Sequence, residues 1–221
     1  MEFFKRKKKT VDVVVLGDLG RSPRMANHAI SLANEGFNVQ LVGYGGSQLG
    51  TEITENPNIT IQTMDEPRVY QVHKRLDRYI NYTFKCIWQS LTLLWCLGPQ
   101  CIWRGGMPDF ILLQNPPSIP ALVIRYFASL LFNFMSWLLN CGKTELVLDW
   151  HNYGYSIMAL SLGPDHGMVK LSKKIEGYFG ARVRKSFCVS KKMKLDLLEK
   201  FGVAAETLYD KPKETFGSIP L

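Results

Sequence analysis

Apolar and polar positions along the chain alternate between two periods. Residues 11–17 (Val-Asp-Val-Val-Val-Leu-Gly) form a short β-branched run ending on glycine, the pattern of a buried strand. Ser22 and Pro23 then supply an N-cap and a first-turn proline. Met25, Ala29, Leu32 and Ala33 fall on one helical face, and Gly36 stands where that helix should stop. Strands are predicted at 38–43 and 59–63, so the chain opens β-α-β, with a connection suited to a right-handed parallel crossover. The alternation continues with a helical pattern over 70–97, a strand at 109–114, a helix over 119–139 and a strand at 145–149. A helix over 170–180, a strand at 187–190, a helix over 191–201 and an edge strand at 207–209 complete it. Repeated β-α units predict an α/β fold built on a doubly wound parallel, Rossmann-like sheet. The predicted organisation is a basic segment over 1–10, one domain over 11–210 and a polar, proline-bearing linker over 211–221.

Two of the helical patterns are too apolar for ordinary surface helices. Residues 86–97 are a dozen without a charge, and residues 119–139 reach spanning length but contain Arg125 and Asn133. A charge at the centre of a spanning helix costs ~3 kcal/mol, which argues against a true span. Trp88, Trp95, Trp103 and Trp137 suit a membrane–water interface. One or both segments are therefore expected to dip into one leaflet, with nearby cations on the headgroups. For residues 119–139, a core helix of the sheet is an equal alternative.

Charge sharpens this picture. The formal net charge of +8 is concentrated in a run from Lys5 to Lys9 and a cluster between Lys170 and Lys194. Such runs fit nucleic acid, an anionic membrane surface or a solvated face. Five cysteines without CxxC spacing argue against a disulfide framework or zinc ribbon and favour a reducing compartment. Residues 1–10 have no apolar core behind them, so no signal peptide is expected there. The sequons at Asn58 and Asn81 carry no assignment.

Ligands of an open parallel sheet bind beyond the carboxyl ends of its strands, and three predicted loops there are unusual. The first is Gly17-Asp-Leu-Gly-Arg-Ser-Pro-Arg-Met25. Gly17 and Gly20 would let the backbone approach a ligand, and the helix start offers free N–H groups to an anion. Arg21 and Arg24 would add charge-assisted bonds to a phosphate, with Asp18 and Ser22 beside them. A tight turn with solvated arginines is the competing reading. The second loop, Gln114-Asn-Pro-Pro-Ser-Ile-Pro120, reads as a rigid structural turn and contributes Asn115 as a binding candidate. The third is the richest: Asp149-Trp-His-Asn-Tyr-Gly-Tyr-Ser156 runs a buried strand into a carboxylate, an imidazole, an amide, two phenols and a hydroxyl. Such groups are costly at a sheet edge unless used or mutually bonded. His151 has the pKa range of a general base, and Asp149 would orient it or be the base itself; a bonded structural histidine is the alternative. Asn152, Tyr153, Tyr155 and Ser156 are binding candidates, and core filling is favoured for Trp150. No DxD, HExxH, EF-hand, P-loop or GxSxG motif occurs, so neither metal nor cofactor is expected.

Taken together, Val13-Val-Val-Leu-Gly-Asp-Leu-Gly-Arg-Ser-Pro-Arg-Met25, Leu113-Gln-Asn-Pro-Pro117, Asp149-Trp-His-Asn-Tyr-Gly-Tyr-Ser156 and Tyr209-Asp-Lys-Pro212 resemble the chitobiosyldiphosphodolichol β-mannosyltransferase family, in the family's order and over about residues 11–213. The resemblance implies the N-terminal, acceptor-side domain of a GT-B glycosyltransferase. It also implies metal-free inversion, with GDP-mannose as donor and dolichol-linked chitobiose as acceptor. The implied place is the cytosolic face of the endoplasmic reticulum membrane, alongside other dolichol-pathway glycosyltransferases and without nucleic acid. Family members usually begin with a hydrophobic anchor and carry a C-terminal domain holding most of the donor site. The chain is accordingly expected to be a fragment or short isoform lacking the donor domain. A non-catalytic acceptor- or partner-binding module at the membrane is the alternative.

Overall fold

The computed structural model describes residues 8–66, 84, 87–92, 95, 107–116, 121–139 and 143–211. Seven strands form one sheet: β1 (Thr10–Asp18), β2 (Asn38–Tyr44), β3 (Ile59–Met64), β4 (Phe110–Asn115), β5 (Glu145–Trp150), β6 (Lys185–Cys188) and β7 (Ala205–Thr207). Their order is β3-β2-β1-β4-β5-β6-β7, and every pairing is parallel. The predicted doubly wound, Rossmann-like sheet is therefore observed. Among the described residues, the helices with full bounds are α1 (Pro23–Asn34), α2 (Thr51–Thr54), α3 (Ala121–Leu139), α4 (Gly154–Leu162), α5 (Gly167–Gly180) and α6 (Lys191–Phe201), and residues 84, 87–92 and 95 are helical as well. A 3-10 turn, Leu19–Arg21, joins β1 to α1. Successive strands are laid down on either side of β1, so the chain reverses direction between β1 and β4. That is the switch point at which such sheets bind ligands.

Strand alternation sorts the core into two layers. Val11, Val13 and Val15 pack with Met25, Ala29 and Ala33 of α1 on one side. Val14 and Leu16 pack with Leu122 of α3 and Leu197 of α6 on the other. Gln89 donates to the Tyr44 hydroxyl at 2.9 Å, so the helical residues 87–92 lie on the α3 side.

Local signals explain several boundaries. Gly36 adopts φ 85° after α1, and the amides of Gly36 and Phe37 return to the carbonyls of Ala33 and Leu32. Helix α6 is bracketed by Ser190, whose hydroxyl accepts from the Met193 amide at 3.2 Å, and by left-handed Gly202. That cap draws the chain out of the sheet early, so β6 ends at Cys188 rather than at the predicted 190. β7 likewise lies at Ala205–Thr207, before the predicted 207–209, because the Leu208 carbonyl is taken by Arg24. α5 starts at Gly167, three residues ahead of the predicted start, with the His166 imidazole accepting from the Met168 amide. Ser22 is the N-cap position of α1, but its hydroxyl donates to the Asp18 carbonyl at 3.0 Å and makes no side-chain cap.

α3 resolves its two readings on its inner side. Arg125 is buried with Leu122 and Ala128, so the charge faces the protein, and the helix covers the sheet. Its outer side exposes Phe127, Leu130, Leu131 and Phe134. No helix among the described residues is long and apolar enough to cross a membrane. The predicted helix over 70–97 falls mostly outside the described residues, as do residues 1–7 of the basic segment, 212–221 of the linker, Asn81 and Trp103. Cys188, the cysteine that is described, is buried and free.

Candidate functional site

The end of β4 and the loops after β1 and β5 meet at the carboxyl edge of the sheet, as their parallel strands require. They are joined there by the segment after β7. Arg24, on the first turn of α1, is the hub. Its guanidinium grips Asp149 through Nε at 2.7 Å and Nη2 at 2.8 Å, and Nη1 donates to the Leu208 carbonyl and to Asp210, each at 2.8 Å. One turn further along α1, His28 Nε2 lies 3.2 Å from the same Asp149 carboxylate. Arg24 is buried and Asp149 is fully so. Burial pushes the Asp149 carboxyl up, but hydrogen bonds from His28 and Arg24, and their charge, outweigh it and hold the group below its ordinary value. Arg24, opposed by burial, is likewise held above its ordinary value by Asp149 and Asp210.

Beside this cluster opens a cleft of about 330 Å³, lined by Arg21, Ser22, Arg24, His28, His151 and Tyr209 among others. His151 is half-buried, and its Nδ1 is buried without a hydrogen-bond partner among the described residues. Its amide donates to the Asn115 carbonyl at 3.0 Å, which fixes the loop after β5 to the end of β4.

The remaining sequence candidates do not line the cleft. Gly17 lies within β1 and makes no close approach. Asp18 accepts from the Gly20 amide at 3.0 Å and from the Ser47 hydroxyl at 2.6 Å, tying the first loop to the one after β2. The Ser47 hydroxyl, followed by the Ser47 and Gly20 amides and Arg21, holds the Asp18 carboxyl below its ordinary value against partial desolvation. A Cβ on Gly20 would lie 2.7 Å from Ser47, so this glycine admits Ser47 rather than a ligand.

The third loop is partly helix: Tyr155 and Ser156 lie in the first turn of α4. Its leading amides are satisfied by the fully buried Glu176 of α5, which accepts from Gly154 at 2.9 Å, Tyr155 at 3.2 Å and the Asn115 side chain at 2.5 Å. Tyr153 packs against the Trp150 and Phe201 rings and donates to Asp196 at 2.6 Å. Burial, then that bond, pushes its phenol far above the usual range. Trp150 is fully buried, as its favoured reading had it. Asn152 is exposed, and the Ser156 hydroxyl donates to the Tyr153 carbonyl.

Sequence reasoning missed His28 and Asp210 as partners of the cluster. The signal for His28 was its spacing of four residues from Arg24, which puts both on one face of α1. Asp210 sits inside the fourth motif, and only the fold reveals that it shares Arg24 with Asp149.

No family model matches the chain. Among curated proteins, it is 41% identical over 216 residues to the chitobiosyldiphosphodolichol beta-mannosyltransferase of Pongo abelii, covering 98% of this chain and 43% of that protein. It is 41% identical over 213 residues to the Yarrowia lipolytica protein of the same name, covering 94% and 42%. The UDP-glycosyltransferase TURAN of Arabidopsis thaliana is 41% identical over 205 residues, covering 92% and 41%. The resemblance carried by the four motifs therefore holds, and the chain spans under half the length of these relatives. Among solved structures, a calicheamicin glycosyltransferase superposes with a TM-score of 0.58 at 11% identity, covering 98% of this chain and 56% of its own. A UDP-glucose:anthocyanidin 3-O-glucosyltransferase superposes at 0.52 with 13% identity, covering 92% and 52%. The fold is that of one Rossmann-like half of a GT-B glycosyltransferase.

Proposed function

We propose that residues 11–210 form the acceptor-side domain of an inverting β-mannosyltransferase. It takes mannose from GDP-mannose and places it on dolichol-linked chitobiose at the cytosolic face of the endoplasmic reticulum membrane. Residues 211–221 begin the link to a donor-side domain. The carrying observation is that the segments behind the resemblance converge at one cleft on the switch point of the sheet, with Arg24 joining Asp149 to Asp210 and His151 on the wall.

Inverting transfer needs the acceptor hydroxyl to lose a proton as it attacks the anomeric carbon from the face opposite the leaving GDP. His151 takes that proton. Asp149 holds the frame, because both its oxygens are engaged by Arg24 and the group is sealed from solvent. The N-terminal end of α1, with Arg21 at the cleft, favours the acceptor diphosphate. His28 gives a second reading of the base. With Nε2–H donated to Asp149, its ring is the tautomer whose Nδ1 accepts a proton.

The test is transfer from GDP-mannose to a lipid-linked chitobiose by a protein of the relatives' length. His151→Ala is expected to lower turnover by at least ~100-fold with little change in GDP-mannose affinity. A near-normal rate, with the loss found in His28→Ala instead, moves the base to His28. Residues 1–221 on their own are expected to transfer no mannose, since a single Rossmann-like half offers only one wall of the cleft in which donor positioning can supply ~7–11 kcal/mol of the barrier. Transfer by this chain refutes the two-domain reading. Acceptor binding without turnover at full length favours a non-catalytic module.

A further inference from the structure

The side of the sheet that carries α3, α4 and α5 has an outer surface unlike the rest of the molecule. α4 runs Gly-Tyr-Ser-Ile-Met-Ala-Leu-Ser-Leu without a charge, yet none of its residues is buried, and Leu160 is 88% exposed. α4 and α5 form a hairpin whose arms expose Ile157, Leu160, Met168 and Leu171. The same layer exposes Phe127, Leu131 and Phe134 on α3, and Trp88 and Trp95 among the helical residues before it. An apolar helix surface on which nothing among the described residues packs is a binding surface rather than a core.

The charges decide what binds. On α3, α4 and α5 the exposed charged residues are Lys170, Lys173 and Lys174, with Arg182 just beyond the end of α5. Arg125 and Glu176 face inward. The exposed acid in the turn between α4 and α5 is Asp165, which is paired with Lys170. Apolar and aromatic side chains rimmed by cations complement the boundary between acyl chains and anionic headgroups. An anionic headgroup layer supplies counter-charges to all of these cations at once, beside an acyl layer for the apolar side chains.

We infer that the outer surface of α3 and of the α4–α5 hairpin docks on an anionic bilayer, with α4 as the element that leads from the cleft to the lipid. α4 begins at Gly154, three residues after His151, so docking this hairpin brings the cleft wall to headgroup level. A lipid-linked diphosphate could then reach the cleft without leaving the leaflet. The inference deepens the proposed function, since it names the surface that would present a lipid-borne acceptor. Its test is independent of turnover.

The 221-residue chain is sedimented with phosphatidylcholine vesicles with and without phosphatidylserine. It is compared with the double substitution Ile157→Ser and Leu160→Ser, and with a control of equal apolar loss on α6, Leu195→Ser and Leu198→Ser. Far-UV circular dichroism checks that each variant is folded. Binding is expected to rise with phosphatidylserine, to survive in part at high salt, and to fall at least ~10-fold in the hairpin variant but less than ~2-fold in the control. Undiminished binding by the hairpin variant overturns the proposal, and so does wild-type binding that ignores phosphatidylserine. A wild type that ignores vesicles but forms a dimer broken by the hairpin substitutions overturns it too, by giving the surface to a second copy of the chain.

Discussion

The two helical layers cover the same sheet and solve different problems. On the side of α1 and α2, residues 8–66 bury their apolar side chains and leave no large one exposed. That side ends at the carboxyl edge in an ionic cluster, the buried pair of Arg24 and Asp149 with the half-exposed Asp210 beside it. On the other side, α3 and α5 also bury their inner side chains, but the outer surface of α3, α4 and α5 exposes large apolar side chains that nothing among the described residues covers. Amphipathicity thus has two outcomes in one domain. Where the outward positions are polar, the layer ends the protein; where they are apolar, it anticipates a further layer. The first side fixes the site, and the second supplies a surface that water does not favour.

The largest effect separating the two sides is expected at Asp149. Asp149→Asn leaves the Arg24 guanidinium buried beside a neutral amide, and removing one partner of a buried ion pair typically costs about 3–5 kcal/mol. Urea unfolding at neutral pH measures it. Because the folded carboxyl is held below its ordinary value by Arg24 and His28, its contribution is fully present above about pH 4, the unfolded carboxyl's range. It is lost as the pH falls through the lower, folded value. The gap between wild type and variant should therefore stay constant from neutrality to about pH 4 and close in stronger acid. A gap under ~1 kcal/mol, or one that widens with acid, would remove the ionic cluster from its place as the organiser of this edge.

An intermediate effect probes the inner packing of the bare side. Two glycines of α5 sit at opposite extremes. A Cβ on Gly180 would lie 2.6 Å from the fully buried Trp150 ring, whereas one on Gly167 meets nothing within 4 Å. Gly180→Ala is expected to cost about 1–3 kcal/mol through overpacking, despite alanine's higher helix propensity. Gly167→Ala should be neutral or slightly stabilising. Thermal melts of the pair decide it: equal behaviour would mean that α5 is not pressed against β5 as closely as the geometry has it.

How much of this was legible in the chain follows from what each feature depends on. β1, α1 and α6 were read to within a residue or two, because their signals are local: a β-branched run, Pro23 at a helix start, Ser190 and Gly202 at helix ends. The convergence of the loops after β1 and β5 beside the end of β4 was legible too, since parallel strands dictate it. α4 was not. Its start is held by Glu176, some twenty residues on, and no pattern within Gly154–Leu162 announces that partner. The arginines of the first loop were read as paired phosphate ligands, but the fold separates them. Arg24 turns inward to two carboxylates, while Arg21 stays at the cleft with its side chain largely exposed. The distinction rests on contacts across more than a hundred residues, which periodicity does not encode.

The smallest expected effect is the most exacting for the comparison. Leu160→Ser removes a leucine from the middle of an apolar segment, and on sequence alone that would be a core mutation costing about 2–5 kcal/mol. The structure gives it almost no burial: Leu160 is 88% exposed, and α4 has no buried residue at all. The side chain keeps nearly the same solvent contact folded as unfolded, so the transfer term largely cancels. The remaining effect is the slightly poorer helix propensity of serine, a few tenths of a kcal/mol. Urea unfolding in the absence of lipid is therefore expected to shift by less than ~0.5 kcal/mol. A loss above ~1 kcal/mol would show that another part of the chain packs on α4. The surface would then be an inner one, and the contrast between the two helical layers would disappear.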